Sequence, residues 1–230
     1  KKDIFEGIFG VFADSLPDGW GRLLVDRMLL SKGVSPAEIR PVTRLGIVGG
    51  TGMGALEYYP ELMQMEEKER MDFDRISLEC DKILNDEESK GSSGGARPKA
   101  LISQDGESWI VKFPSSYDSK TIGAEEYQYM ECARKCGIVV PEVRLFPSQR
   151  GKGYFGVKRF DRENNKKVHM ITVSGLLETS HRVPNLDYNE LMKLTYILTK
   201  DNREMEEMYR RMCFNVYAHN RDDHSKNFSY

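Results

Sequence analysis

The chain has 230 residues, of which 30% are charged and 39% hydrophobic, and its formal net charge is −2. This charge gives no global electrostatic case for a nucleic-acid-binding protein, and no apolar run approaches the ~20 residues needed to span a bilayer. The opening residues, Lys1-Lys2-Asp3, lead into a mixed segment rather than the apolar stretch of a signal peptide. These totals predict a globular cytoplasmic protein with one large domain or two small ones.

The four cysteines form no C-x-x-C pair, a pattern that predicts reduced, buried thiols in a cytosolic protein. Two of them stand one helical turn apart and could hold a metal together, but no histidine is near them in sequence and core packing is favoured. The four are Cys80, Cys132, Cys136 and Cys213.

The first forty residues contain an apolar run and two helix signals. The run Ile4–Phe12 predicts a strand or a packed loop. Partial 3.6-residue periodicity predicts a helix over Arg22–Leu30. Ser35 followed by Pro36 is typical of a helix start, with serine as N-cap and proline at the first helical position.

A glycine-rich stretch at residues 45–55 allows two interpretations. Gly50, Gly52 and Ala55 fit the G-x-G-x-x-A form of a dinucleotide fingerprint, which must open a helix. The residues that follow, Leu56–Pro60, instead predict a strand ending in proline. A glycine-rich turn between two strands is therefore favoured over a dinucleotide enzyme.

A second small-residue segment follows a charged helix predicted over Glu66–Leu84 and a polar linker over Asn85–Lys90. The segment, Gly91–Ala100, is not a Walker A motif, which requires G-x-x-x-x-G-K-[ST]. Its backbone N–H groups could still approach phosphates, whereas a flexible linker is the plainer alternative. The strands that follow favour a phosphate loop.

Those strands form a predicted hairpin that carries a lysine. Ala100–Ser103 and Ser108–Pro114 flank a turn at Gln104–Glu107. Lys112 lies in the middle of the return strand, where a kinase places the lysine that pairs with nucleotide phosphates. The alternative is an outward-facing lysine on an edge strand.

The helix predicted over Ala124–Cys136 has Glu125 or Glu126 in its first turn, where the helix dipole favours a carboxylate. In a kinase the corresponding helix supplies a glutamate that pairs with the strand lysine. Gly137 is predicted to end this helix. Two further strands, at 139–146 and 153–160, are followed by a polar turn at Asp161–Asn165.

The last twelve residues carry the most specific chemistry. Helices predicted over Tyr188–Leu198 and Asp201–Ala218 lead to Asp222 and Asn227, whose spacing is that of a kinase catalytic loop. An ionised carboxylate can accept a substrate hydroxyl proton, and an amide oxygen suits magnesium. The alternative is a polar surface turn. His224 is interpreted as a solvated loop residue, and the absence of G-x-S-x-G argues against a serine hydrolase.

Taken together, these motifs resemble the HipA-like serine/threonine kinases, the toxin halves of bacterial toxin–antitoxin pairs. The resemblance covers nearly the whole chain and keeps the order of the family's marks. The marks are Asp14-Ser-Leu-Pro-Asp-Gly-Trp-Gly-Arg22, Gly94-Gly-Ala-Arg-Pro-Lys99, Val111-Lys-Phe-Pro114, Glu126-Tyr127, Lys158-Arg-Phe-Asp-Arg162 and Arg221-Asp-Asp-His-Ser-Lys-Asn-Phe-Ser229.

The resemblance implies a site for ATP and Mg²⁺. Lys112 would bind the α/β phosphates with Glu126 as its ion-pair partner, Asp222 would be the catalytic base and Asn227 a magnesium ligand. The backbone from Lys158 to Phe160 would meet the adenine. The phosphate loop would comprise Ser92, Ser93, Gly94, Gly95, Ala96 and Lys99.

It also implies an α+β, protein-kinase-like fold. The expected parts are a HipA N-terminal subdomain at 1–88, a small sheet-bearing lobe at 89–163 and the start of a helical lobe at 164–230. The family's second metal-binding aspartate would lie beyond Tyr230, and the chain looks cut at both ends, so the 230 residues alone are expected to be inactive.

The implied reaction transfers the γ-phosphate of ATP to a serine or threonine of a protein. In this family the substrate is an aminoacyl-tRNA synthetase. The partner is a helix-turn-helix antitoxin, and DNA is contacted only through it. Autophosphorylation is expected at Ser92. The rival interpretation is a kinase-like binding module that holds an antitoxin or another protein without turnover.

Overall fold

The computed structural model describes residues 4–17, 19–63, 72–89, 97–115, 117–164, 166–184 and 186–230. The fold is α+β, with a small antiparallel sheet among helices. The chain divides into two compact units, each described by itself below. The helical unit comprises residues 1–15, 131–140 and 170–230, and the sheet unit comprises residues 16–130 and 141–169.

Four antiparallel strands form the main sheet in the order β1-β2-β4-β3: β1 Lys99–Gln104, β2 Glu107–Lys112, β3 Val143–Phe146 and β4 Tyr154–Lys158. Strands β1 and β2 form the predicted hairpin. Both residues of its turn, Asp105 and Gly106, have positive φ, at 56° and 77°, which matches the right-handed twist of the flanking strands. Because β2 lies between β1 and β4, Lys112 is not on an edge strand.

Alternating side chains of the hairpin supply the core of the sheet unit. Trp109 and Val111 are fully buried and pack with helix α4, Phe73–Ser89, and with Trp20 of helix α2, Gly19–Ser31. This period of two buries one face of the hairpin. Lys99 and Lys112 lie on the other face, directly opposite each other in the strand register.

The glycine-rich stretch differs from both interpretations given above. A helix, α3, spans Pro41–Val48 and ends at Gly49, which has a φ of 53°. Neither the strand expected at Leu56–Pro60 nor the helix that a dinucleotide site needs there is present. Pro36–Glu38 is a short 3₁₀ helix rather than the start of a long one. A short apolar run is compatible with a strand or a helix. Here Pro41 occupies the first helical position, which proline favours, and the run forms a helix.

The polar turn expected at residues 161–165 is instead a small hairpin whose first residue is buried. Strands β5, Arg162–Glu163, and β6, Lys166–Lys167, pair antiparallel. The Asp161 side chain is 0% exposed and accepts hydrogen bonds from Arg159, Arg162 and the Gly54 amide. The segment was predicted to be a polar turn, and its first residue, Asp161, is buried rather than exposed.

The helical unit begins with another difference. The N-terminal apolar run is not a strand, because residues Gly10–Ala13 form helix α1. A Cβ added at Gly10 would lie 2.1 Å from the carbonyl oxygen of Gly175, so α1 packs closely against helix α6, Val173–Leu176.

Three longer helices match the predicted positions. They are α5, Ile122–Lys135, α7, Tyr188–Thr199, and α8, Asn202–Tyr217. Gly137 follows α5 with a φ of 79°, as a C-terminal cap requires. Within the described residues, no helix is long and apolar enough to cross a membrane.

Only one of the four cysteines is fully buried. Burial raises the pKa of the Cys80 thiol to about 12, so this thiol stays protonated. Cys132 and Cys136 are exposed and Cys213 is half-buried, so the expectation of buried thiols is wrong for the pair on α5.

Candidate active site

The predicted strand lysine and helix glutamate meet in the sheet unit. Lys112 Nζ lies 2.9 Å from Glu126 Oε2, and the two side chains are 42% and 21% exposed. Lys112 Nζ also lies 5.4 Å from the ring centroid of Phe155, within the range of a cation–π contact. The lysine is thus held in one place while part of its ammonium group stays open to solvent.

Two residues that sequence reasoning did not single out join this ion pair. Arg97 lies 3.7 Å from Glu126 Oε1 and 3.5 Å from Asp118 Oδ1. Asp118 belongs to the loop between β2 and α5. Arg97 lies in the small-residue motif, which is a weak signal, whereas no pattern in the sequence points to Asp118.

Most of the predicted phosphate loop, Ser92, Ser93, Gly94, Gly95 and Ala96, lies outside the described residues. Its last member, Lys99, is described and stands directly opposite Lys112 on the neighbouring strand. Directly opposite residues of an antiparallel pair share a face and lie close together. The hairpin therefore presents two cationic side chains on one face.

The predicted adenine-binding segment, Lys158 to Phe160, begins at the last residue of β4. The backbone N–H of Lys158 donates to Glu142 O at 2.9 Å, and that of Arg159 donates to Ser108 O at 2.8 Å. The Lys158 ammonium group pairs with Glu107 at 2.8 Å, whereas Phe160 is 57% exposed. Two of the segment's three backbone amides are therefore already used within the sheet unit.

Asp222 and Asn227 lie in the helical unit, in the loop after α8. Asp222 is 81% exposed, as a group that receives a proton from a bound substrate requires. The amide nitrogen of Asn227 donates to the backbone carbonyl of Asp222 at 2.5 Å. This bond ties the two predicted residues together, and Asn227 itself is exposed.

His224 is a partly exposed loop residue that also contacts the predicted base. Its Nε2 lies 3.3 Å from Asp222 Oδ1, and its Nδ1 accepts a hydrogen bond from the Lys226 amide at 3.3 Å. Because Nδ1 accepts, the proton of a neutral imidazole is on Nε2, which faces the carboxylate. The ring of His181 lies 5.1 Å away. His224 therefore lies in contact with the Asp222 carboxylate.

A chain of hydrogen bonds fixes this loop to the end of α8. Asn215 accepts from the backbone and side chain of Asn220, whose own side chain accepts from the Asp222 amide at 3.0 Å. Tyr188 donates to Asp223 Oδ2 at 2.7 Å. Asp223 thus anchors the loop to α7, while its neighbour Asp222 faces solvent.

The far end of the loop is held by α6 and the N-terminal segment. Thr172 and Ser229 form a β-bridge, and the Val173 amide donates to Phe228 O at 2.9 Å. Asp14 accepts from the backbone N and the hydroxyl of Thr172 at 2.7 and 2.8 Å. Burial raises the pKa of the Asp14 carboxyl, and the hydrogen bonds from Thr172 reduce that shift. Residues near the N-terminus therefore support the loop of Asp222.

The residues present fit a magnesium ion that arrives with a nucleotide better than a pre-formed metal cage. Within the described residues, no group of three or more His, Cys, Asp or Glu side chains converges as a metal site. Magnesium is commonly held by one or two protein ligands, substrate phosphates and water. The amide oxygen of Asn227, an exposed residue, suits one such position.

Sequence comparison identifies the family. The model of the HipA N-terminal domain matches residues 2–59, and that of the HipA-like C-terminal domain matches residues 91–230. The chain belongs to the HipA family. A search of curated protein sequences found no match.

Comparison with solved structures supports the same fold. The chain is similar to HipA in the complex of HipA, HipB and operator DNA from the toxin–antitoxin system of Shewanella oneidensis MR-1, with a TM-score of 0.68 and 19% sequence identity. The match covers 96% of this chain and 59% of that one. The chain therefore spans less than two thirds of the length of the HipA it matches.

Proposed function

We propose that this chain is part of an ATP-dependent serine/threonine protein kinase of HipA type. The observation that carries the proposal is the Lys112–Glu126 ion pair at 2.9 Å. It joins a central strand to a helix, and the partly exposed Lys112 lies opposite Lys99 in the strand register. Kinases position the α/β phosphates with such a pair.

In this proposal each residue of the site has a separate role. Lys112 contacts the nucleotide phosphates, and Glu126 keeps it in place. Asp222 accepts the proton of the substrate hydroxyl, and His224 orients its carboxylate. Asn227 offers its amide oxygen to Mg²⁺. When bound, the metal ion would neutralise charge that develops on the phosphates.

The partners are proposed from family membership and from the structural likeness. The similar HipA was solved in complex with HipB and operator DNA. We propose a helix-turn-helix antitoxin as the partner of this protein, with DNA contacted through the antitoxin. An aminoacyl-tRNA synthetase is the proposed protein substrate. A kinase-like division into a sheet-bearing and a helical lobe, and the domain limits given above, also remain predictions.

Nucleotide binding tests the proposal directly. In the full-length protein, Lys112→Ala is expected to weaken MgATP binding by about 1.5–3 kcal/mol, because a charge-assisted contact to phosphate is lost. This corresponds to roughly a 10- to 150-fold higher Kd by calorimetric titration. Lys167→Ala is the matched control, since Lys167 also pairs with a glutamate, Glu57, at 2.5 Å. Equal affinities for all three proteins would refute the role of Lys112.

Autophosphorylation is a second expected outcome. A phosphoserine at Ser92 adds about −1.5 to −2 charges near neutral pH, next to the proposed phosphate loop, and is expected to repel ATP. Mass spectrometry after incubation with MgATP should find phosphate on Ser92, and the modified protein should bind ATP more weakly than Ser92→Ala protein. Normal ATP binding by the modified form would contradict the switch.

A further inference from the structure

Arg97 is held loosely between two carboxylates. Its guanidinium nitrogens lie 3.5 Å from Asp118 Oδ1 and 3.7 Å from Glu126 Oε1, and its side chain is 60% exposed. Well-formed N–H···O hydrogen bonds are shorter, with donor–acceptor distances of about 2.7–3.2 Å. Exposed ion pairs at such distances contribute little to stability. Arg97 can therefore leave these partners at small cost.

Asp118, in contrast, is firmly fixed. Its side chain is only 12% exposed. Its Oδ2 accepts hydrogen bonds from the backbone N and the hydroxyl of Ser115 at 2.9 and 2.8 Å. The other oxygen, Oδ1, faces Arg97. Asp118 thus holds one negative charge in place beside the exposed guanidinium group of Arg97.

Glu126 brings Arg97 and Lys112 together. It contacts Lys112 through Oε2 and Arg97 through Oε1. Glu126 Oε2 is buried and has no well-aligned hydrogen-bond donor in the described part of the chain, so its contact with Lys112 is an ion pair without a directed bond. Lys99 stands opposite Lys112 in the register, and like charges directly opposite each other are unfavourable. Arg97 and Lys112 thus share one carboxylate, and Lys99 lies on the same face of the hairpin as Lys112.

We propose that Arg97 contacts the phosphates of a bound nucleoside triphosphate, and that Asp118 is the anion that holds Arg97 when no nucleotide is bound. The inference rests on the proposed function. Guanidinium groups form paired hydrogen bonds with phosphate oxygens. In the nucleotide complex, these bonds would replace the two long contacts of Arg97 with Asp118 and Glu126. The Asp118 carboxylate then competes with the phosphates for Arg97, and this competition lowers the affinity for the nucleotide.

The two halves of this inference predict effects of opposite sign. Arg97→Gln is expected to raise the Kd for ATP roughly tenfold, the lower end for loss of a charged hydrogen bond. Asp118→Asn is expected to lower that Kd, because the amide oxygen can still accept from Ser115 while the competing charge is gone. A merely structural role of Asp118 predicts weaker or unchanged binding instead.

The test is a titration of the full-length protein and its variants with MgATP and with adenosine, which lacks phosphates. Adenosine affinity should be unchanged throughout. Arg97→Lys, which keeps the charge but loses the fork, should lie between wild type and Arg97→Gln. In the double variant Arg97→Gln/Asp118→Asn, the gain from Asp118→Asn should disappear. Arg144→Gln is the control, since Arg144 also lies between two carboxylates, those of Glu142 and Asp105.

The outcomes separate this inference from the proposed function. If Lys112→Ala weakens ATP binding but Arg97→Gln does not, the role of Arg97 is overturned and the kinase proposal stands. An unchanged or higher Kd in Asp118→Asn overturns the role of Asp118. If the wild-type protein binds no ATP, both proposals fail. Thermal melting of each variant identifies any that are unfolded. If Arg97→Gln is unfolded, the ATP affinity of Arg97→Lys, the conservative change, tests the role of Arg97.

Discussion

Replacing Asp222 with alanine in the full-length protein is expected to lower the rate of phosphate transfer by about 10²–10⁴-fold, the usual contribution of a positioned general base. The affinity for MgATP should change little. The Asp222 side chain is 81% exposed, and substitutions at such surface positions usually change stability by at most about 0.5 kcal/mol. The loss should therefore be catalytic, measured as phosphate incorporated into a protein substrate or into the protein itself.

Asp223, the aspartate next to Asp222, provides a variant with a contrasting expected effect. Asp223 accepts a hydrogen bond from Tyr188, so Asp223→Ala is expected to lower the melting temperature, whereas Asp222→Ala is not. Glu206→Gln changes an exposed carboxylate on α8 and is the neutral control. Transfer at the wild-type rate by Asp222→Ala would remove it as the base. ATP binding without transfer, in wild type and variant alike, would favour a non-catalytic binding module.

Local patterns predicted the four strands of the main sheet and the helices α5, α7 and α8, whereas α4 continues through residues 85–89, which were predicted to be a linker. The Asp105-Gly106 turn supplies two residues that tolerate positive φ, and Gly137 supplies another at the end of α5. Such features depend only on neighbouring residues. Periodicity predicted the strand of Lys112 and the helix of Glu126, but left the choice between Glu125 and Glu126 open. The family resemblance chose Glu126, which is the residue that contacts Lys112.

Local patterns could not predict contacts between residues that are far apart in sequence. Asp118 and Arg97 are 21 positions apart, and neither position has a periodic or turn signal that would pair them. The contact between Asp14 and Thr172 spans 158 positions, so its support of the Asp222 loop could not be inferred from either segment. The contact of His224 with Asp222 could not be predicted for a different reason: a single histidine beside acids is common on protein surfaces, and only geometry shows which nitrogen faces Asp222.

Asp161 also contacts residues that are far from it in sequence, and replacing it is expected to have a large effect on stability. Asp161→Asn is expected to cost about 3–5 kcal/mol of the free energy of unfolding, because it leaves buried positive charge without its partner. Arg159 and Arg162, which bind Asp161 at 2.7 and 2.9 Å, are 5% and 15% exposed. They also donate to the Gly52 carbonyl, so the cluster holds the glycine-rich stretch in place. Urea denaturation at neutral pH measures the loss.

The same group predicts how stability depends on pH. Burial alone would raise the pKa of Asp161, but hydrogen bonds from Arg159 and the Gly54 amide and the charges of Arg159 and Arg162 outweigh it, so the pKa lies below its ordinary value of 3.8. The folded state therefore binds the proton less readily than the unfolded state. The stabilisation is present above pH ~4 and is lost as the pH falls through the folded pKa. Between these limits, wild-type stability should fall more steeply with acid than that of Asp161→Asn.

A matched control separates the buried cluster from ion pairs in general. Glu79→Gln breaks an ion pair with Arg75 in the same unit, where the side chains are 55% and 74% exposed, and such pairs contribute little because water screens them. Its denaturation midpoint should stay at the wild-type value while that of Asp161→Asn falls. Equal midpoints for the two variants, or parallel pH curves for wild type and Asp161→Asn, would show that the Asp161 charge does not stabilise the glycine-rich stretch. The buried arginines would then be compensated by other groups, since an uncompensated charge at 5% exposure is too costly to persist.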